Sequence, residues 1–308
     1  MAVRGVLSYT LEVPDVEAAV RFYCDAGLIA SVGDGTARFR CQGQSRDSIV
    51  VVRGPRQKRL HHIALRADDL GYIVRSATRG GGQVMQPPTG FSTDGVWLSD
   101  PHGMVIHLLE DASDPQIDPT CPPFEINAPG RIVRRGRSGM RPTAAYEPVR
   151  PLRLGHVLLF SPDVMRSVDF MTQTLGMGLA DRAQEVIAFC CAVKLSEHHV
   201  VAFARSASVG FHHGSFQVSS PDDVGRGGRW LSSRAGRGDW GFGRHTIGSN
   251  FFHYIQDPWG SWFEYYCDMD FIQDYAQWSP TNYGMEDSLA NWGPAVPQDF
   301  VHNYEADA

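Results

Sequence analysis

His156-Val157-Leu158-Leu159-Phe160-Ser161-Pro162-Asp163-Val164, continued by MRSVDFMTQTLGMGL, reads as an apolar strand, a Pro-Asp helix start and an amphipathic helix. Val164, Val168, Met171 and Leu175 fall at helical spacing and share one face. Asp163 is a good N-cap and Gly176 a stop signal. The same grammar stands much earlier in the chain. Ser8-Tyr9-Thr10-Leu11-Glu12-Val13-Pro14-Asp15-Val16, followed by EAAVRFYCDAGL, repeats the strand, the Pro-Asp start and, at Gly27, the stop.

Two further markers recur in the same order. His61-His62-Ile63-Ala64-Leu65 matches His212-His213-Gly214-Ser215-Phe216, each followed by an acidic pair, Asp68-Asp69 and Asp222-Asp223. Asp100-Pro101-His102-Gly103 matches Asp257-Pro258-Trp259-Gly260, and each is a turn signal between strands. Three ordered markers, twice, imply an internal duplication. Each copy reads as strand and helix followed by strands, then strand and helix again followed by strands. The expected boundaries are an N-terminal domain over 1–112, a Pro/Gly/Arg-rich linker over 113–150, a C-terminal domain over 151–270, and a tail over 271–308.

Bulk properties narrow the class. The chain has 308 residues, a 43% hydrophobic and 20% charged composition, and a net charge of −6. That is a globular balance for two domains with real cores, and a poor one for nucleic acid, which needs a basic stripe. The basic run Arg131 to Arg141 sits in the linker and reads as a solvated segment. There is no 18-residue apolar run and no secretory h-region, so no membrane partner and a cytoplasmic location are expected. Six cysteines without a CxxC pair are expected as free thiols, mostly buried.

Aligning the two copies puts Ser8 opposite His156, His62 opposite His213, and His107 opposite Glu264. Two imidazoles and one carboxylate are the ligand set of non-haem Fe(II) oxygenases. The N-terminal copy carries no carboxylate there and is expected to be structural. A histidine on a strand is more often a satisfied interior residue than a ligand, so Glu264 decides the matter. It lies in the apolar strand Trp262-Phe263-Glu264-Tyr265-Tyr266, where an unpaired carboxylate would be costly. An arginine salt bridge is the other reading of Glu264.

The segments LGHVLLFSPD, SEHHVVAF, FHHGSFQV and GRHTIGSNFFHYIQDPWGSWFEYY resemble the type I extradiol ring-cleavage dioxygenases of the vicinal oxygen chelate superfamily. The likeness spans residues 5 to 270 and is sharpest over 154 to 270. The GRH…GSNFFHY segment looks most like the homoprotocatechuate 2,3-dioxygenase branch. The resemblance implies an α+β fold of two tandem domains, each of paired βαβββ modules forming an open barrel. It implies metal ligands His156, His213 and Glu264, with Fe(II) as cofactor and Mn(II) as the other candidate. It further implies His199 as acid–base histidine, with His245 and Tyr254 on the substrate oxygens. Asn250 is a candidate polar contact for substrate. His198 and His212 are expected in supporting roles, and the residues alone leave open a swap within either pair. Thr246-Ile247-Gly248 stands where some members have Asn-Asp, which bears on substrate choice.

The implied activity is cleavage of a catechol-type ring by O2, in aromatic compound catabolism, by a homo-oligomer. Two alternatives remain: a metal-dependent isomerase or lyase of the same superfamily, and a non-catalytic aromatic-ligand-binding protein of the same fold. The aromatic, acidic tail is expected either to cover the pocket or to form a subunit contact.

Overall fold

A computed structural model describes residues 3–54, 56–111, 125–140 and 147–306. Cys121 and the linker over 113–124 and 141–146 lie outside the described residues. The N-terminal half runs β1 (Val3–Val13), α1 (Val16–Asp25), β2 (Ile29–Gly33), β3 (Thr36–Arg40), β4 (Ile49–Arg53), then β5 (Arg59–Ala67), α2 (Leu70–Ser76), β6 (Gln83–Met85), β7 (Val96–Ser99), β8 (Val105–Glu110). The C-terminal half repeats the plan. It runs β9 (Arg153–Ser161), α3 (Val164–Gln173), β10 (Gly178–Ala183), β11 (Ile187–Cys191), β12 (Lys194–Glu197), β13 (Val201–Arg205), then β14 (Gly210–Gln217), α4 (Pro221–Ala235), β15 (Asp239–Arg244), β16 (Phe251–Gln256), β17 (Trp262–Cys267). Beyond it lie β18 (Phe271–Asp274) and β19 (Asn282–Tyr283). This is an α+β fold of four βαβββ modules, with β12 inserted in the third.

The first sheet has the order β2-β3-β4-β1-β5-β8-β7-β6 and the second β15-β16-β17-β14-β9-β13-β11-β10-β19. In each, the opening strands of the two modules pair antiparallel at the centre, β1 with β5 and β9 with β14. The local chemistry accounts for the start of each module. Asp15 and Asp163 accept hydrogen bonds from the backbone N–H of Ala18 and Arg166, satisfying free donors of the first helical turn. Asp69 caps α2 in the same way, whereas α4 is capped by Ser220, ahead of its acidic pair. The Asp-Pro-x-Gly turns are built alike: Asp100 accepts from His102 and Met104, and Asp257 from Trp259 and Ser261. Gly103 and Gly260 close them with φ of 87° and 97°, which an L side chain rarely adopts.

The halves are packed on one continuous core. The Tyr9 and Phe211 rings lie 4.5 Å apart, and Tyr265 Oη donates to the Ala26 carbonyl. Among the described cysteines Cys41, Cys190, Cys191 and Cys267 are buried and Cys24 is exposed, all as free thiols. No helix of the described residues is long and apolar enough to cross a membrane.

Candidate metal centre

Strand register builds the centre. Ser215 on β14 stands between His156 of β9 and Glu264 of β17, so those three positions form one row across the sheet. His213 lies two residues back on β14 and therefore on the same face. Tyr254 of β16 is opposite Glu264 on its far side. The candidate ligand atoms of His156, His213 and Glu264 all lie within 4.8 Å of one another. His156 Nε2 is 3.2 Å and His213 Nε2 3.6 Å from Glu264 Oε2.

Glu264 is wholly buried, and among the described residues its ionic partners are imidazoles; no arginine or lysine reaches it. The salt-bridge reading therefore has no cation to supply it. Ser215 Oγ donates to Oε2, and Asn250 Nδ2 donates to Oε1 at 3.2 Å. Burial alone would raise the carboxyl pKa. The imidazoles of His156, His245 and His213 around it outweigh that and hold the group well below the usual carboxylate range. Burial, followed by neighbouring imidazoles, pushes His213 well below its ordinary value. The set is thus an anionic oxygen with a neutral nitrogen donor at His213, as a divalent cation requires.

The tautomer of one candidate ligand can be traced. His212 Nε2 donates to the Phe300 carbonyl at 2.7 Å, so its Nδ1 is free to accept. His213 Nδ1 lies 2.6 Å from that atom and donates to it. The lone pair of His213 is then on Nε2, facing Glu264. The structure places His213, rather than His212, in the cluster, and gives His212 the task of orienting it. The chain is equally specific at the other pair: His199 lines the cavity, while His198 is fully buried behind it.

The remaining residues converge on one cavity. The His199 ring is 4.1 Å from that of His156, and burial followed by the His156 charge depresses its pKa. His245 Nε2 is 2.9 Å from Tyr254 Oη, and His245 Nδ1 donates to the Leu289 carbonyl. Burial, then the Glu264 charge, raises the Tyr254 phenol well above its ordinary value, so it is a hydrogen-bond donor at neutral pH. Asn250 lines the cavity but spends its amide N–H on Glu264, so it orients that carboxylate as well as facing the pocket.

The tail wraps the C-terminal barrel. Ser288, Leu289, Phe300 and Val301 close the cavity to about 40 Å³. That is room for ordered water, far below the roughly 300–1,000 Å³ of ordinary ligand sites. The tail's carbonyls at 289 and 300 orient two histidines, and no sequence motif marks a carbonyl. Ser215, equally unmarked, sits openly in FHHGSF, and only its register reveals it.

A pair of βαβββ barrels with a buried His-His-Glu cluster in one of them defines a metal-site protein of the vicinal oxygen chelate class. The chain belongs to the extradiol dioxygenase family of that superfamily. It is 35% identical over 314 residues to metapyrocatechase 2 of Cupriavidus necator, covering 99% of this chain and 93% of the relative. The Glyoxalase/Bleomycin resistance protein/Dioxygenase superfamily matches residues 153–265. Solved structures of like fold include the Mn(II)-bound glyoxalase of Novosphingobium aromaticivorans (TM-score 0.74, 23% identity, 96% of this chain and 93% of that one). A single-residue variant of the homoprotocatechuate 2,3-dioxygenase of B. fuscum is another (TM-score 0.73, 19% identity, 97% and 81%).

Proposed function

We propose that this protein is an Fe(II)-dependent extradiol dioxygenase that opens the ring of a catechol-type substrate with O2. The carrying observation is the joining of His156, His213 and Glu264 with His199, His245 and Tyr254 around one cavity. Its metapyrocatechase relative supports a catechol as substrate.

The donor set fits a first-row divalent cation: two imidazoles and a carboxylate leave open positions, and suit Fe(II) first and Mn(II) second. When bound, the metal would supply Lewis acidity toward the substrate hydroxyls and a redox partner for O2. The chain's own residues do the rest. His199, neutral and facing the cavity, takes a proton from a hydroxyl and returns it later. Tyr254 Oη and His245 Nε2, 2.9 Å apart at the cavity, share one hydrogen bond, and the Tyr254 hydroxyl can turn from His245 to donate to a substrate oxygen. Leu158, Ile187, Phe189 and Ile247 make an apolar wall that orients a ring and excludes water.

A metal-dependent isomerase is the second reading, favoured by the glyoxalase likeness on fold alone. Anaerobic purification, loading with Fe(II) and addition of air with a catechol panel separates the two. The expected result is O2 uptake matched by visible absorbance of a ring-opened product. Metal binding without O2 uptake on any catechol would favour the isomerase, and failure to bind metal would sink both. By the same family reading the enzyme is a cytoplasmic homo-oligomer; the buried free thiols support a reducing compartment.

A further inference from the structure

Behind His199 lies a buried chain of polar groups that belongs to no metal ligand. His198 Nδ1 is 3.0 Å from His199 Nδ1, and His198 Nε2 is 2.7 Å from Asp181 Oδ2. Asp181 Oδ1 accepts from the Thr281 backbone N–H at 2.6 Å. His198 and Asp181 are almost wholly excluded from solvent, at 0% and 3% exposure. The tail secures the assembly from outside: β19 pairs with β10, and Trp278 Nε1 donates to the Ala180 carbonyl.

The hydrogen-bond logic of this chain runs one way. A carboxylate can only accept, so His198 Nε2 carries a proton. With that proton on Nε2, His198 presents Nδ1 as the acceptor in the 3.0 Å contact, and His199 Nδ1 donates to it. That leaves the lone pair of His199 on Nε2. Among the described residues no partner holds that atom, and His199 lines the cavity. We propose that Asp181 and His198 are positioning residues, which fix the tautomer and orientation of His199 so that its Nε2 enters the reaction as the proton acceptor.

The N-terminal barrel supplies an internal control. Register carries Asp181 to Phe189, Ala202 and Leu158, as it carries Ser31 to Arg38, Val50 and Thr10. Leu158 and Thr10 occupy matching places, opposite His213 and His62. Ser31 thus stands where Asp181 does, and Arg46-Asp47 where His198-His199 do. Among the described residues the relay occurs only in the barrel that holds the candidate ligand cluster.

The inference rests on the dioxygenase reading for its purpose but not for its first test. Metal-free protein with nitrogen-15 histidine is examined by NMR, with His199 assigned by comparison with His199→Gln. A proton on Nδ1 and none on Nε2 is expected; the reverse in the wild type overturns the proposal without any variant. Asp181→Asn should invert the relay. Its carbonyl stays on the Thr281 N–H, its NH2 faces His198 Nε2, and the proton of His199 moves to Nε2. An unmoved proton in that variant overturns the proposal too. In the Fe(II)-loaded enzyme the same variant should lose about 10-fold or more in kcat, toward the roughly 10²–10⁴ that a proton-transfer group contributes. Iron content and KM should hold. An inverted tautomer with unchanged kcat also overturns it. If no catechol turns over in wild type, the dioxygenase reading fails while the tautomer result still stands.

Discussion

The two barrels share a register and part company in what that register carries. Across one row the C-terminal barrel reads His156, Ser215, Glu264 and Tyr254; the N-terminal barrel reads Ser8, Ala64, His107 and Trp97. His107 is satisfied without any metal. Its Nε2 lies 2.7 Å from the Asp94 carbonyl oxygen, and its ring stacks on Trp97 at 4.1 Å. Glu264 is surrounded by imidazoles and has only hydroxyl and amide donors besides. The N-terminal counterpart is also an open cleft of about 690 Å³, where the tail leaves the C-terminal cavity about 40 Å³. The fold supplies the positions, and a handful of side chains decide whether a position is a ligand or a packed interior residue.

The largest effect should follow from removing the residue that most separates the barrels. Glu264→Ala leaves His156 and His213 without their anion, much as His62 stands without one. Metal content measured after dialysis should fall from one per chain to a trace. The reciprocal substitution His107→Ala should leave it at one. Stoichiometric metal in Glu264→Ala would break the comparison at its centre.

The tail comes next, because it covers one barrel and is tied down from the other. Glu305 pairs with Lys58 at 2.8 Å, both side chains being nearly buried, and also accepts from the backbone N–H of Leu60 and Phe211. Glu305→Ala leaves a buried ammonium whose remaining partners are the Ser261 hydroxyl and the Phe211 carbonyl. Breaking such a pair costs about 3–5 kcal/mol. A matching fall in unfolding free energy by denaturant titration is expected, and a change under about 1 kcal/mol, the scale of an exposed pair, would show that the tail is not anchored there.

A subtler step converts one site toward the other. Ser215→Ala makes the central residue of the C-terminal row what Ala64 already is in the N-terminal one. The fold should be unaffected, but Glu264 loses a hydrogen bond that orients it. Loss of such an outer contact lowers metal affinity about 10–100-fold. Competition with a chelator measures it, and an unchanged affinity would mean that the His-His-Glu geometry stands without the hydroxyl.

Most of the duplicated frame was legible because its signals are local. Pro14-Asp15 and Pro162-Asp163 announce helix starts within a few residues, and the Asp-Pro-x-Gly turns carry their own capping chemistry. The three candidate ligands were legible because the repeats could be laid on one another, which is a register argument made without coordinates. What escaped is what register alone reveals. Asp181 is far along the chain from His198, across a strand turn, and a lone aspartate on a strand gives no sign of its partner. The carbonyls of Leu289 and Phe300 have no side-chain signature at all. Residues of the tail line the cavity, and Asn250, marked as a candidate substrate contact, also donates to Glu264.

The last effect is a difference in slope, at the histidine that both barrels keep. His62 is buried, and burial, followed by the charges of His61 and His107, lowers its pKa to about 3. In the unfolded chain it titrates near 6.5, so between these values the unfolded state binds the proton first. Its contribution to stability is complete above about pH 6.5 and is lost as pH falls toward 3, with a slope of up to about 1.4 kcal/mol per pH unit. His62→Gln removes that titration. Unfolding free energy measured between pH 6.5 and 4 should fall less steeply in the variant by up to that slope, whatever its stability at neutral pH. Parallel curves would mean that His62 is already charged in the folded state, and that the N-terminal row holds its imidazole for a purpose other than packing.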